Sequence, residues 1–270
     1  MLANSKRPHI RAEGSVPQRM WTSVLSLLPA LLLSLIFLRA QAFRILVVAV
    51  SSAVLAEMGV RRLFRKRATL YDASGVLTAL LLALLLPSPL PSWKVALGSA
   101  FAIIFGKEIF GGLGQNPFNP ALVGLAFLLS VFPASMTPFS DLFEGANPAP
   151  LAGAFLVSGA ILLGTRLIRW ETPLLYLGGA LGLTAARGAA VQEIFFSGPA
   201  LLAAFFLVTD PVTTPLTRLG ERWFALGSGL LTAAICPWTS LGEGVTYGIL
   251  LMNALNPWFD RWFRPRRARG

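Results

Sequence analysis

The sequence predicts an all-α polytopic membrane protein, with about ten transmembrane helices in two inverted five-helix repeats and with broken helices. Three observations predict it. Of the 270 residues, 55% are hydrophobic and 13% charged, with a mean hydropathy of +0.67. Apolar runs recur along the whole chain with short basic clusters between them, the pattern of topology signals. The halves also share punctuation. Ser74-Gly75 opens an apolar run that closes at Pro87-Ser88-Pro89, and Ser197-Gly198 opens one that closes at Asp210-Pro211-Val212-Thr213-Thr214-Pro215. With five spans per half, a duplicated half enters the membrane with opposite polarity, and sites in such folds lie at the repeat interface near interrupted helices. The competing reading is that Ser-Gly and Pro simply mark helix ends.

Residues 1–19 carry Lys6, Arg7, Arg11 and Arg19 and are read as a cytoplasmic tail. No small-residue cleavage site follows the first apolar run, so it is read as a span and not as a removable leader. The first repeat, 20–133, holds apolar runs at 20–38, 43–60, 73–88, 93–110 and 119–133. A short outer loop, 134–150, leads to the second repeat, 151–258, with runs at 151–165, 173–186, 194–208, 223–236 and 244–257. Residues 259–270 form a basic cytoplasmic tail. Several runs fall short of the ~20 residues of a full crossing, so their ends extend into polar flanks or some are half-helices. With the N-terminus inside, only Arg39, Arg44, Lys94 and Arg187 of the 23 basic residues lie outside. That bias predicts ten crossings with both termini cytoplasmic.

The net charge of +11 sits in clusters between spans, which fits contact with anionic lipid and argues against a nucleic-acid partner. The single cysteine, Cys236, rules out a disulfide framework and an iron–sulfur cluster held by this chain alone. The single histidine, His9, lies in the tail, so paired transmembrane histidines for a haem are absent.

The stretch Phe110-Gly111-Gly112-Leu113-Gly114-Gln115-Asn116-Pro117-Phe118-Asn119-Pro120 interrupts two apolar runs. Its glycines permit positive φ and its prolines lack N–H donors, so a continuous helix through it is costly. At membrane depth such backbone must be satisfied by protein, water or ligand, which gives a broken helix lining a cavity, with a new helix from about Pro120 whose N-terminus favours an anion. A loop just outside the bilayer is the alternative. Lys107-Glu108 precedes the break; Lys107 is read as functional, and Glu108 as a residue snorkelling to the inner surface. Asp210 to Thr217 is a second interruption, whose carboxylate and hydroxyls suit a polar ligand ring or an ordinary Asx-type turn. Asp72 is read as a helix cap. Gly111-Gly112-Leu113-Gly114 has no preceding strand and the wrong spacing for a dinucleotide fingerprint.

These residues resemble the RnfD/NqrB family of membrane subunits, found in the Rnf and sodium-pumping NADH:quinone oxidoreductase complexes. The resemblance is carried by Gly106-Lys107, Gly111 to Ala121, Phe132-Pro133 and Thr209 to Thr217, with Pro8-His9-Ile10-Arg11, Met20-Trp21 and Leu28-Pro29-Ala30 similar to the RnfD branch. It implies an inverted-repeat fold in the cell inner membrane and electron transport through a flavin, FMN or riboflavin, coupled to Na⁺ or H⁺ translocation. It also implies other membrane and peripheral subunits of an Rnf-type complex as partners. The cofactor-binding candidates are Lys107, Gly112, Gly114, Gln115, Asn116, Asn119, Asp210, Thr213 and Thr214.

Family members also attach FMN to a threonine in a Ser/Thr-Gly-Ala-Thr motif after the fifth span. Here the corresponding loop lacks that motif and holds one threonine, Thr137. One alignment makes Thr137 the covalent FMN acceptor; the preferred one matches Phe132 to Thr137 with the segment where the chain leaves the membrane, and deletes the acceptor. Two further readings are a flavin-free scaffold subunit of the same complex and an inverted-repeat transporter or channel for a small polar solute.

Overall fold

The computed structural model describes residues 16–65, 70–136, 149–191, 194 and 197–263, and every regular element among them is helical. Helix α1 (Val16–Ser26) passes through one turn at Leu27 into α2 (Leu28–Leu63). The expected runs 20–38 and 43–60 are therefore one helical stretch, bent at Arg39, where φ is 46° and ψ −119°. A non-glycine residue at positive φ is uncommon. The sequence places an outer connection at this same point, so the connection survives as a kink without a loop.

Next come α3 (Ser74–Ala83), α4 (Ser92–Ile103), α5 (Pro120–Val131) and the short α6 (Pro133–Met136). The second half holds α7 (Ala149–Gly164), α8 (Glu171–Ala186), α9 (Gly198–Leu202), α10 (Arg218–Ile235) and α11 (Leu241–Trp262). The run expected over 73–88 ends its helix at Ala83 and tightens through three-residue turns before Pro87, which cannot continue it. Two helices end in π-helical turns: α4 continues as Ile104–Glu108, and α9 as Ala203–Leu207. Such single π turns often mark functional positions.

Helix α2 packs on α3, α4 and α7, α4 on α5, and α10 on both α8 and α11. Small residues let these helices touch. A Cβ on Gly124 of α5 would lie 2.7 Å from the Ala102 Cβ and the Gly98 carbonyl of α4. One on Gly229 of α10 would collide with the Tyr176 carbonyl oxygen of α8. Close backbone approach of this kind is how helices associate without a hydrophobic drive between them.

The apolar surface points outward as well. Leu28, Leu32, Ile36, Phe43, Val47 and Leu55 along α2 are all exposed, and an apolar face of this extent suits a bilayer. Among the described residues, Val16–Leu63 is the one helical run both long and apolar enough to cross a membrane; 74–83, 120–131, 150–164 and 198–207 are shorter.

Candidate functional site

A helix carrying charge in an apolar bundle must pair it, and the structure does so where α2, α3 and the end of α4 meet. Lys107, 1% exposed, extends from the first π turn. Its Nζ donates to Glu57 Oε1 at 3.0 Å and to Ser74 Oγ at 2.6 Å. Arg61, one turn beyond Glu57 on α2, reaches Glu57 Oε1 at 3.5 Å and Glu108 Oε1 at 2.9 Å. Glu108 is 3% exposed, so it does not snorkel: the π turn brings it and Lys107 to buried partners on α2. Its other oxygen, Oε2, is buried without a hydrogen-bond partner. The network ends at Asp72, whose Oδ1 accepts from the Ser74 backbone N–H at 2.9 Å and the Ser74 hydroxyl at 2.6 Å. The N-cap position of α3 is Ala73, at φ 58° and without a side-chain cap. Asp72, one residue earlier, is therefore not the cap read from the sequence but meets the Ser74 N–H in an Asx-type turn.

Beyond Glu108 the chain leaves the helix through positive φ at Gly111, Gly112 and Gly114. Gly112 has a second reason to be glycine: a Cβ there would sit 2.9 Å from a guanidinium nitrogen of Arg61. The new helix begins at Pro120 with Asn119 as its cap, Oδ1 accepting from Ala121 and Leu122 N–H at 3.0 and 3.4 Å. The other face of the Asn119 amide turns to the second interruption, where Nδ2 donates to Asp210 Oδ2 at 3.2 Å. Asp210 forms an Asx turn with Val212 N–H at 3.1 Å and accepts from the Thr213 hydroxyl at 3.1 Å. The two interrupted stretches thus meet.

They meet at a cavity. Its empty space, open mouth included, is about 750 Å³. Lys107, Ser74, Asn116, Asn119 and Asp210 are among its polar lining. Leu77, Leu81, Leu113, Phe205 and Phe206 give apolar walls, the two phenylalanines coming from the second π turn. Arg19 and Ser23 of α1 also line it.

Of the expected site residues, Lys107, Asn116, Asn119 and Asp210 line this cavity. Gly112 packs against Arg61 behind it, and Gly114 is exposed with open space beside it, so its contribution is its backbone turn. Gln115 is exposed and folds back over Gly111. Thr213 and Thr214 spend their hydroxyls on Asp210, side chain and carbonyl respectively, and do not line the cavity. Thr137 lies outside the described residues.

Sequence reasoning missed Glu57, Ser74 and Asn253 as site residues and took Arg61 for a topology signal. The available signal was Glu57 and Arg61 four residues apart in an apolar helix, which places both on one face. Asn253, 1% exposed on α11, accepts from the Asn119 backbone N–H at 3.2 Å and donates to the Thr213 carbonyl at 2.9 Å. It pins both interruptions to a third helix.

Comparison with known proteins follows this architecture across the chain. The NQR2, RnfD, RnfE family pattern matches residues 3–153 and 149–269. The chain is 33% identical to the D subunit of the proton-translocating ferredoxin:NAD(+) oxidoreductase complex of Clostridium ljungdahlii, over 97% of this chain and 94% of that protein. It is 34% identical to the D subunit of the Na(+)-translocating ferredoxin:NAD(+) oxidoreductase complex of Acetobacterium woodii, over 98% and 94%. The D subunit of the ion-translocating oxidoreductase complex of Methanosarcina acetivorans is 31% identical, over 98% and 96%.

Proposed function

The chain belongs to the NQR2, RnfD, RnfE family, and from that membership we propose that it is the RnfD-type membrane subunit of an ion-translocating oxidoreductase complex, with a flavin in the cavity described above. It acts with other membrane and peripheral subunits, and no turnover is expected of the chain alone. Its place is the cell inner membrane, with both termini cytoplasmic and ten crossings in two inverted repeats. That arrangement draws support from matched packing: α10 touches α8 and α11 as α4 touches α2 and α5.

The observation that carries the flavin reading is the meeting of the two interruptions around a space lined by both polar and apolar side chains. A flavin ring is flat, apolar along one edge and rich in hydrogen-bonding atoms at the other, and the residues present fit it. When bound it supplies one- and two-electron transfer. Lys107 brings a cationic side chain to the cavity lining, stabilising negative charge that develops beside it. Asn116 and Asn119 lend amide groups, Asp210 is held in place by Asn119 and Thr213, and Phe205 and Phe206 exclude water. The acceptor motif for covalent FMN is missing from the loop that contains Thr137.

The test is flavin extracted from the purified complex, with the mass of this subunit measured intact. The expected result is about one releasable flavin per chain, no FMN adduct on Thr137, and a lower flavin content in Lys107→Met. Equal flavin content and electron transfer in Lys107→Met would remove that residue from the site. Solute flux by a flavin-free chain would favour the transporter reading.

A further inference from the structure

We propose that Lys107, Ser74 and Asp72 form a proton relay between the cavity and the start of α3. This rests on the reading that a redox carrier occupies the cavity; it gives Lys107 a second task there and gives Ser74 and Asp72 their first. The three groups are in hydrogen-bond contact in order. Lys107 Nζ donates to Ser74 Oγ at 2.6 Å, and Ser74 Oγ donates to Asp72 Oδ1 at 2.6 Å. Lys107 and Ser74 line the cavity, whereas Asp72 does not. Asp72 is 7% exposed and adjoins Tyr71, which is 69% exposed, so this end of the series lies next to the outer surface of the chain.

A buried ion pair alone does not require this arrangement. Lys107 already has Glu57 as its counter-ion at 3.0 Å, and Asp72 already accepts the Ser74 N–H. The Ser74 hydroxyl is the additional element: it accepts from one titratable group while donating to another, the orientation needed to pass a proton. In transfer away from the cavity, an N–H bond of Lys107 breaks as an O–H bond forms on Ser74. The original Ser74 O–H bond breaks as one forms on Asp72 Oδ1. Lys107 is left neutral, Asp72 is a neutral acid, and Ser74 is unchanged; Lys107 regains its charge by taking a proton from the cavity, and Asp72 releases its own to water. Rotation of the hydroxyl runs the sequence in reverse. The other charged groups around Lys107 are Glu57 and Arg61 from α2 and Glu108 from its own turn. Glu57 stabilises the charged lysine between transfers.

The test uses the assembled complex, reduced and reoxidised in weak buffer, with a pH-indicating dye for proton release and infrared difference spectroscopy for carboxyl groups. The expected result is a transient carboxylic-acid band that disappears in Asp72→Asn. Ser74→Ala should slow proton release, taken per flavin bound, by about a hundredfold, in line with the loss of one proton-transfer group. Ser74→Thr, which keeps the hydroxyl, should restore the rate and serves as the folded control. Proton release at the wild-type rate in Ser74→Ala, or an infrared spectrum unaltered by Asp72→Asn, overturns the relay alone. A wild-type complex without flavin overturns the cavity reading on which the relay rests.

Discussion

Replacing Arg61 with Met is expected to prevent stable assembly of the complex, the largest effect of any single change at the site. Arg61 is the cation paired with Glu108 at 2.9 Å, and it also approaches Glu57 at 3.5 Å. Without it the Glu108 carboxylate remains 3% exposed with one oxygen already lacking a hydrogen bond. Breaking a buried pair by removing one partner costs about 3–5 kcal/mol, because the remaining charge stays desolvated. Against a total stability on the order of 5–15 kcal/mol, that is a large fraction. The vacated space beside Gly112 adds a packing defect at the turn that shapes the cavity. The measurement is the thermal midpoint and yield of the complex in detergent. The double variant Arg61→Met/Glu108→Gln should recover most of the loss, since it removes the stranded charge. An Arg61→Met complex of normal stability would mean that the ion-pair network does not support the fold.

The second large effect is expected at Asn253. Changing it to Leu keeps the volume roughly constant but leaves the Asn119 N–H without its acceptor and the Thr213 carbonyl with one donor fewer. A buried donor or acceptor left unsatisfied costs about 1–3 kcal/mol. The consequence for binding follows from position, because Asn119 and Asp210 both line the cavity and Asn253 fixes the segments that carry them. Asn253→Leu should therefore lower both stability and flavin retention. Asn256→Leu should do much less: it also removes a donor to the Thr213 carbonyl, but Asn253 still supplies one, and the Asn256 Oδ1 is buried without a partner to lose. Thermal midpoint and flavin released per chain check the ranking. Equal effects of the two substitutions would contradict the role given to Asn253.

What was legible in the sequence follows locality. Helix cores, the break after Glu108, the start of a helix at Pro120 and the turn at Asp210 are each set by residues within a few positions, through glycine, proline and side-chain caps. The cap at Asn119 and the Asx turn at Asp210 occur where those residue types predict them. The partners of the buried charges lie far off: Arg61 is 47 positions from Glu108, Glu57 is 50 from Lys107, and Asn253 is 134 from Asn119. No local pattern specifies such contacts. Arg61 reads as one member of a basic cluster, because the charge that sets topology and the charge that pairs inside the bundle look alike in sequence.

Polarity was visible where direction was not. Thr213 and Thr214 carry hydroxyls in an interrupted segment, yet both are used by Asp210 within the same turn. Glu108 was misplaced for a related reason. A regular helix end leaves its orientation open, and the π turn that rotates it inward, Ile104–Glu108, has no distinctive local composition. The kink at Arg39 is another case: the sequence marks a polar position between two apolar runs, but tertiary packing decides whether it becomes a loop or a bend.

If the interruptions at 109–119 and 208–217 build one binding place for a flavin, electron cryo-microscopy of the assembled complex, purified with its cofactors, tests this most directly. Flat density of isoalloxazine size is expected between Lys107 and Asp210, against Phe205 or Phe206. A flavin bound to this subunit elsewhere, or side chains closed across that space in the complete complex, would contradict it.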